Sequence, residues 1–178
     1  MHSLGALAST PVLDRLDLVA STTAAQLRAW APAVEVGVVE IDPDLADTAA
    51  LVEAARIPVE AAGNCVLVAG RRAGEERTAA CVVAASTRVD VNGTVKRLLD
   101  VRKASFLPMG QAVELSGMEY GGITPIGLPR HWRLLVHAPL LDLEVLVVGS
   151  GLRRSKLLLP GRLLGDLPQA EVIDDLGR

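Results

Sequence analysis

Cys65-Val66-Leu67-Val68-Ala69, the polar run from Gly70 to Arg77, and Thr78-Ala79-Ala80-Cys81-Val82-Val83-Ala84-Ala85 together form the stretch that decides the fold. Two short apolar runs, rich in Val and bounded by glycine and charge, read as the antiparallel strands of a hairpin. A turn symmetric about Ala73 makes Cys65 and Cys81 near-opposite neighbours across the strands. They are expected as two small buried thiols, with a redox pair as the alternative. Two cysteines without a histidine pair do not complete a ligand set, so no metal is expected.

Working outward, Val34 to Ile41 reads as another strand, and Asp42-Pro43-Asp44 as a helix start, with Asp at the cap and Pro at the first position. That helix continues to Ala55 and ends before Pro58. Upstream, Val12 to Trp30 suggests one helix or two short ones, with a second cap at Ser21-Thr22-Thr23, while residues 1–10 look like a loose terminus. Downstream, Asp90 or Asn92 starts a short helix to Leu99, and Pro108 starts another that closes at Gly117. Trp132 to Val136, Val145 to Val148 and Lys156 to Leu159 read as strands, Leu163 to Leu167 as a helical turn, and Glu171 to Ile173 as an edge strand. Strands interspersed with short helices predict one mixed α/β domain over residues 1–178, around a mixed or largely antiparallel sheet.

Half of the 178 residues are hydrophobic, but there are only one Phe, one Tyr and two Trp, so the core must be built from Leu, Val, Ile and Ala. Net charge is −3, unevenly spread: residues 1–60 carry three Lys/Arg against nine Asp/Glu, and residues 86–162 carry eleven against six. The second region offers a modest basic face for phosphates, or simply a mixed surface. No leader pattern opens the chain and no apolar run approaches about 20 residues, so a cytoplasmic protein with reduced thiols and no membrane span is expected.

The densest glycine segment is Gly117-Met118-Glu119-Tyr120-Gly121-Gly122-Ile123-Thr124-Pro125-Ile126-Gly127. A glycine pair followed by proline builds a shaped loop whose amides can hold a carbonyl or phosphate oxygen. A tight connection between helix and strand is the alternative. Gly149-Ser150-Gly151 is a second bend with exposed amides.

Taken in order, Val95-Lys96-Arg97-Leu98-Leu99, Lys103-Ala104-Ser105-Phe106, Ala112 to Gly117, Gly121 to Gly127, and Gly149-Ser150-Gly151-Leu152-Arg153-Arg154-Ser155-Lys156-Leu157 resemble the YbaK/ProX family. These are aminoacyl-tRNA deacylase domains that also occur as editing insertions in bacterial prolyl-tRNA synthetases. The resemblance covers roughly residues 60 to 175. It implies a barrel-like sheet with surrounding short helices, no cofactor, and hydrolysis of the ester joining a wrong amino acid to tRNA. The implied partner is the 3′ end of an aminoacyl-tRNA, with an aminoacyl-tRNA synthetase as a second one; no oligomeric state follows.

For that chemistry the backbone amides of Gly121 and Gly122 are the candidate oxyanion donors. Tyr120, Ile123, Thr124, Pro125, Gly127, Gly149, Ser150 and Gly151 are the candidate substrate-binding residues. Arg153, Arg154 and Lys156 are candidates for tRNA phosphates, or for a solvated basic turn. No Gly-x-Ser-x-Gly elbow or Ser/His/Asp set is present. His131 and His137 are each a possible general base or an ordinary structural histidine. The sequence departs from the family at one place. The family's pattern has a Lys immediately before the strand that starts here at Cys65, and Asn64 stands at that position. Asn donates hydrogen bonds but carries no charge. The alternative function is therefore a family scaffold that binds an aminoacyl or nucleotide group, or tRNA, without turnover.

Overall fold

The computed structural model describes residues 1–178. Eleven strands occur in chain order: β1 (Ser3–Leu4), β2 (Leu7–Ala8), β3 (Thr10–Pro11), β4 (Gly37–Glu40), β5 (Gly63–Arg72), β6 (Glu75–Ala84), β7 (Ala104–Phe106), β8 (Arg133–His137), β9 (Leu146–Gly149), β10 (Ser155–Leu159) and β11 (Ala170–Ile173). The α-helices are α1 (Ser21–Ala29), α2 (Thr48–Ala55), α3 (Lys96–Leu99) and α4 (Met109–Ser116). One sheet has the order β3-β4-β10-β9 and is antiparallel throughout. The other has the order β11-β8-β6-β5-β7, with β8 parallel to both β11 and β6 and the remaining pairs antiparallel. The mixed α/β reading therefore holds. The barrel does not close: the two sheets keep separate edges and meet at a single bridge between Ala62 and Val147.

The β5–β6 hairpin is longer than its apolar runs, because the polar residues Arg71, Arg72, Glu75 and Glu76 pair as well. Its turn is the two-residue Ala73-Gly74, with φ of 50° and 85°. Both positive values match the turn whose twist fits paired strands. The centre thus falls between Ala73 and Gly74, half a residue beyond the expected axis. Cys65 pairs with Val82, and Cys81 pairs with Val66. A one-residue slip exchanges the faces of a strand, so the thiols are not cross-strand neighbours. Cys65 packs against the core between the sheets, whereas Cys81 belongs to the cluster on the far side of the five-stranded sheet.

The main core lies between the two sheets. It is made of alternate residues such as Ala80, Val82, Leu134, Val136, Leu146, Val148, Leu157 and Leu159, closed by Ala24 and Leu27 of α1. The outer face of the four-stranded sheet, Val147 and Leu158, is covered by Leu51 and Ala55 of α2. Trp30 and Trp132 are the two aromatic residues in the core. Residues 1–10 are not loose: β1 pairs with β2, and β3 continues onto β4. The Asp42 side chain caps only a short 3₁₀ turn, Pro43–Leu45. Asp47 caps α2 itself, accepting from the amides of Ala49 and Ala50. The expected cap at Ser21 is also displaced, since α1 already includes Ser21 and has no side-chain cap. No helix is long and apolar enough to cross a membrane.

Candidate functional site

A pocket of about 780 Å³ opens where α2, the start of β5 and the glycine loop converge. β5 runs beside β6 for its whole length, but β7 reaches it only from Val68 onward. Residues 63–66 therefore present an uncovered strand edge, the Leu67 carbonyl still accepting from the Leu107 amide at 2.9 Å, and all of residues 63–67 line the pocket. Val52 and Val59 face them from the α2 side, and Leu107, Ala112 and Ile123 extend the apolar wall. Phe106 and Tyr120 stand at its opening, 57% and 55% exposed.

The glycine loop is held by its own backbone. Gly117 closes α4 at φ 68°, its amide bonded to the carbonyl of Val113. Gly121 takes φ 88°. Gly122 lies so close to Leu152 that a Cβ there would meet Leu152 backbone atoms at 2.7–2.9 Å. The Gly151 amide donates to the Gly122 carbonyl at 2.7 Å, and the Glu119 amide to the Gly151 carbonyl at 2.9 Å. The two glycine bends thus pack on each other, backbone to backbone. Arg153 straps this assembly to the neighbouring segment, donating to the carbonyls of Pro43 at 2.9 Å and Tyr120 at 3.3 Å, while its amide donates to Glu119 Oε2 at 2.6 Å.

The structure brings some of the expected residues together and sets others apart. Asn64, Tyr120, Gly121, Ile123 and Gly149 line the pocket. The Gly122 amide does not face a ligand, because it donates to the Glu119 carbonyl at 2.9 Å. The amides of Gly121 and Ile123 have no acceptor within the protein. Thr124 and Pro125 are buried behind the loop, and the Gly127 amide donates to Gln26 Oε1 at 2.7 Å. Ser150 is fully buried, its hydroxyl 2.7 Å from Ser155 Oγ, and Gly151 packs against Ala20. Arg154 is on the surface, donating to the Asp17 carbonyl at 2.7 Å. Neither His131 nor His137 lines the pocket.

Lys156 is on the strand read from the sequence, but it is neither in a solvated turn nor on the surface. It lies within β10, is 5% exposed, and lines the pocket. Its ammonium donates to the carbonyls of Ala46 at 2.8 Å and Gly121 at 3.3 Å. Burial lowers its pKa to about 8, against a smaller opposing pull from Asp47. Asn64 Oδ1 accepts a 2.7 Å hydrogen bond from Thr48 Oγ1, a neutral pair on the same wall. Cys65 also lines the pocket, but burial pushes its thiol far up, so it is a poor source of thiolate. No cluster of His, Cys, Asp and Glu has the makings of a metal site. Sequence reasoning missed Thr48, Phe106 and Leu107. For Phe106 the signal was there, since an aromatic residue is rare in this chain and this one follows Arg102-Lys103 by three residues.

The model of the aminoacyl-tRNA editing domain matches residues 42–167. The chain belongs to this family. Every residue lining the pocket lies inside the matched segment of the editing domain. Among solved structures, the editing domain is similar to a hypothetical protein, with a TM-score of 0.76 and 20% identity over 89% of this chain and 100% of the other. It is also similar to a protein described as a candidate trans-editing enzyme for prolyl tRNA synthetase, with a TM-score of 0.74 and 19% identity over 96% and 99% of the two chains. At such identities the likeness is one of fold. No curated protein sequence matches the chain well enough to add to these.

Proposed function

We propose that this editing domain is a free-standing deacylase, hydrolysing the ester between an amino acid and the 3′-terminal ribose of a mischarged tRNA in the cytoplasm. The observation that carries this reading is the construction of the pocket. An apolar chamber able to take an amino-acid side chain ends at a glycine loop whose Gly121 and Ile123 amides are unengaged. Preorganised amides of this kind stabilise the oxyanion that forms when water adds to an ester carbonyl. The new C–O bond to water forms first; the bond to the ribose oxygen then breaks, and that oxygen leaves with a proton originating from the water. Phe106 and Tyr120 at the opening offer flat faces for the unpaired bases of the tRNA end, where stacking is worth about 1–3 kcal/mol per base. The test is single-turnover deacylation of a panel of correctly and wrongly charged tRNAs. Accelerated hydrolysis of at least one mischarged species is expected, and a flat panel overturns the reading.

A binding module without turnover is the second reading. The neutral Thr48–Asn64 pair favours it, because Asn64 falls at the position where the family resemblance leads one to expect a Lys. Saturable, salt-sensitive tRNA binding together with a flat deacylation panel would select it.

A further inference from the structure

We infer that Lys156 is the substrate-contacting cation of this pocket, donating a hydrogen bond from its ammonium to the ester carbonyl oxygen as that oxygen becomes negative. This deepens the deacylase reading and rests on it.

Three observations lead there. First, Lys156 is the one charged residue among the buried ones; the others in that group are Ser and Thr or apolar. A buried ammonium is costly unless paired, yet no carboxylate lies within ion-pair distance of it. Second, an ammonium has three N–H donors, and only two acceptors are in place, the Ala46 and Gly121 carbonyls. These acceptors come from two segments that touch, a Cβ on Gly121 falling 3.7 Å from that of Ala46, and they hold the ammonium at that seam with one N–H left over. Third, that N–H belongs to a residue lining the same chamber as the unengaged Gly121 and Ile123 amides. A neutral donor such as Gln would make the two carbonyl ties at far smaller cost. The charge is explained if it acts on a charge that appears during the reaction. Asn64 then needs no charge of its own, since the cation enters the site from β10 instead of from the start of β5.

The groups facing Lys156 are Asp47 at the start of α2, Arg153 beyond β9, and Glu53 and Cys65 across the pocket. Only Asp47 favours its charged form; Arg153 opposes it. After subtraction of spontaneous ester hydrolysis, the rate is expected to hold to about pH 8 and to decline above it as the ammonium loses its proton.

The experiment compares wild type with Lys156→Met and Lys156→Gln on the hydrolysed tRNA. Both variants should lose about 100-fold or more in kcat with little change in KM, and neither should retain the decline above pH 8. A Gln variant with wild-type kcat would show that only the carbonyl ties matter and overturns the assignment; so does a Met variant within about threefold of wild type. A flat panel for wild type would defeat the deacylase reading separately. In that case the assignment is read from protein carrying ¹³C-labelled lysine, titrated with a 3′-aminoacylamido-adenosine that cannot be hydrolysed. A perturbed Lys156 side-chain signal sustains the contact, and an unmoved one overturns it.

Discussion

Lys156 sets a thermodynamic signature as well as a chemical one. Its pKa falls from 10.5 in the unfolded chain to about 8 in the folded protein. Between those values the unfolded chain binds more protons than the folded one, so stability from this group rises with pH across that window. Below about pH 8 both states are charged and the full penalty stands; above 10.5 both are neutral and it is gone. The shift corresponds to about 3 kcal/mol. Lys156→Met should therefore be at least as stable as wild type at pH 7, and its advantage should shrink by about that amount by pH 10.5. Urea titrations of both proteins at several pH values measure it; a Met variant clearly less stable at pH 7 would contradict it. The sequence showed Lys156 at the head of a strand but not its depth. The clue was a single cation joined to Leu157-Leu158-Leu159, all fully buried. What buries it is α2 laid across β10, a long-range packing that no local pattern carries. Asn64 was legible as a departure from the family, while its partner Thr48, 16 residues earlier in the chain, was not.

At the scale of elements, the glycines separate two kinds of constraint. Gly74 sits at φ 85° with open space around it, so Gly74→Ala should cost only the backbone penalty, about 1–2 kcal/mol, with activity intact. A larger loss in a denaturation midpoint would mean that the turn is constrained by more than its φ. Gly122 is the opposite case. Its φ is ordinary, but a Cβ would press on Leu152 backbone atoms, which cannot swing away as a side-chain tip can. Gly122→Ala should separate the two glycine bends, costing about 1–3 kcal/mol and lowering deacylation through loop displacement, although its own amide points elsewhere. A crystal structure of the variant showing an unshifted loop would refute this. Strands β5, β6 and β8 to β10, the body of helix α2 and the closure of α4 at Gly117 were readable from periodicity and caps, while the cap of α2 itself, Asp47, was not. The hairpin register was not, because an eight-residue polar stretch does not reveal that only Ala73-Gly74 forms its turn. β7 was missed because three residues ending in an exposed Phe carry no alternation to read.

The whole molecule is acidic, yet it is expected to meet a polyanion. Its excess of acid lies in residues 1–60, and residues 86–162 carry net +5. Many of these cations are already engaged: Arg133 with Glu171, Arg97 with Asp175, Arg162 with Glu35, and Arg153 with two carbonyls. Arg102 and Lys103 are exposed, form no ion pair, and immediately precede β7, whose Phe106 stands at the pocket opening. They are the cations best placed to meet phosphates of a tRNA end entering there. Because Arg102 and Lys103 are the ones that adjoin Phe106 at the opening, the dependence of tRNA affinity on salt should be shallow, corresponding to only a few released counterions. Arg102→Ala and Lys103→Ala should each weaken binding similarly for all tRNAs and reduce the log–log salt slope by about 1. Phe106→Ala should weaken binding by about 1–3 kcal/mol without changing that slope, because a stacked base releases no counterion. Affinity measured at three or more salt concentrations distinguishes the two effects. An unchanged slope in the Arg102 and Lys103 variants would place the tRNA on another face, and a Phe106 effect that vanished at high salt would mean that the ring acts through its charged neighbours.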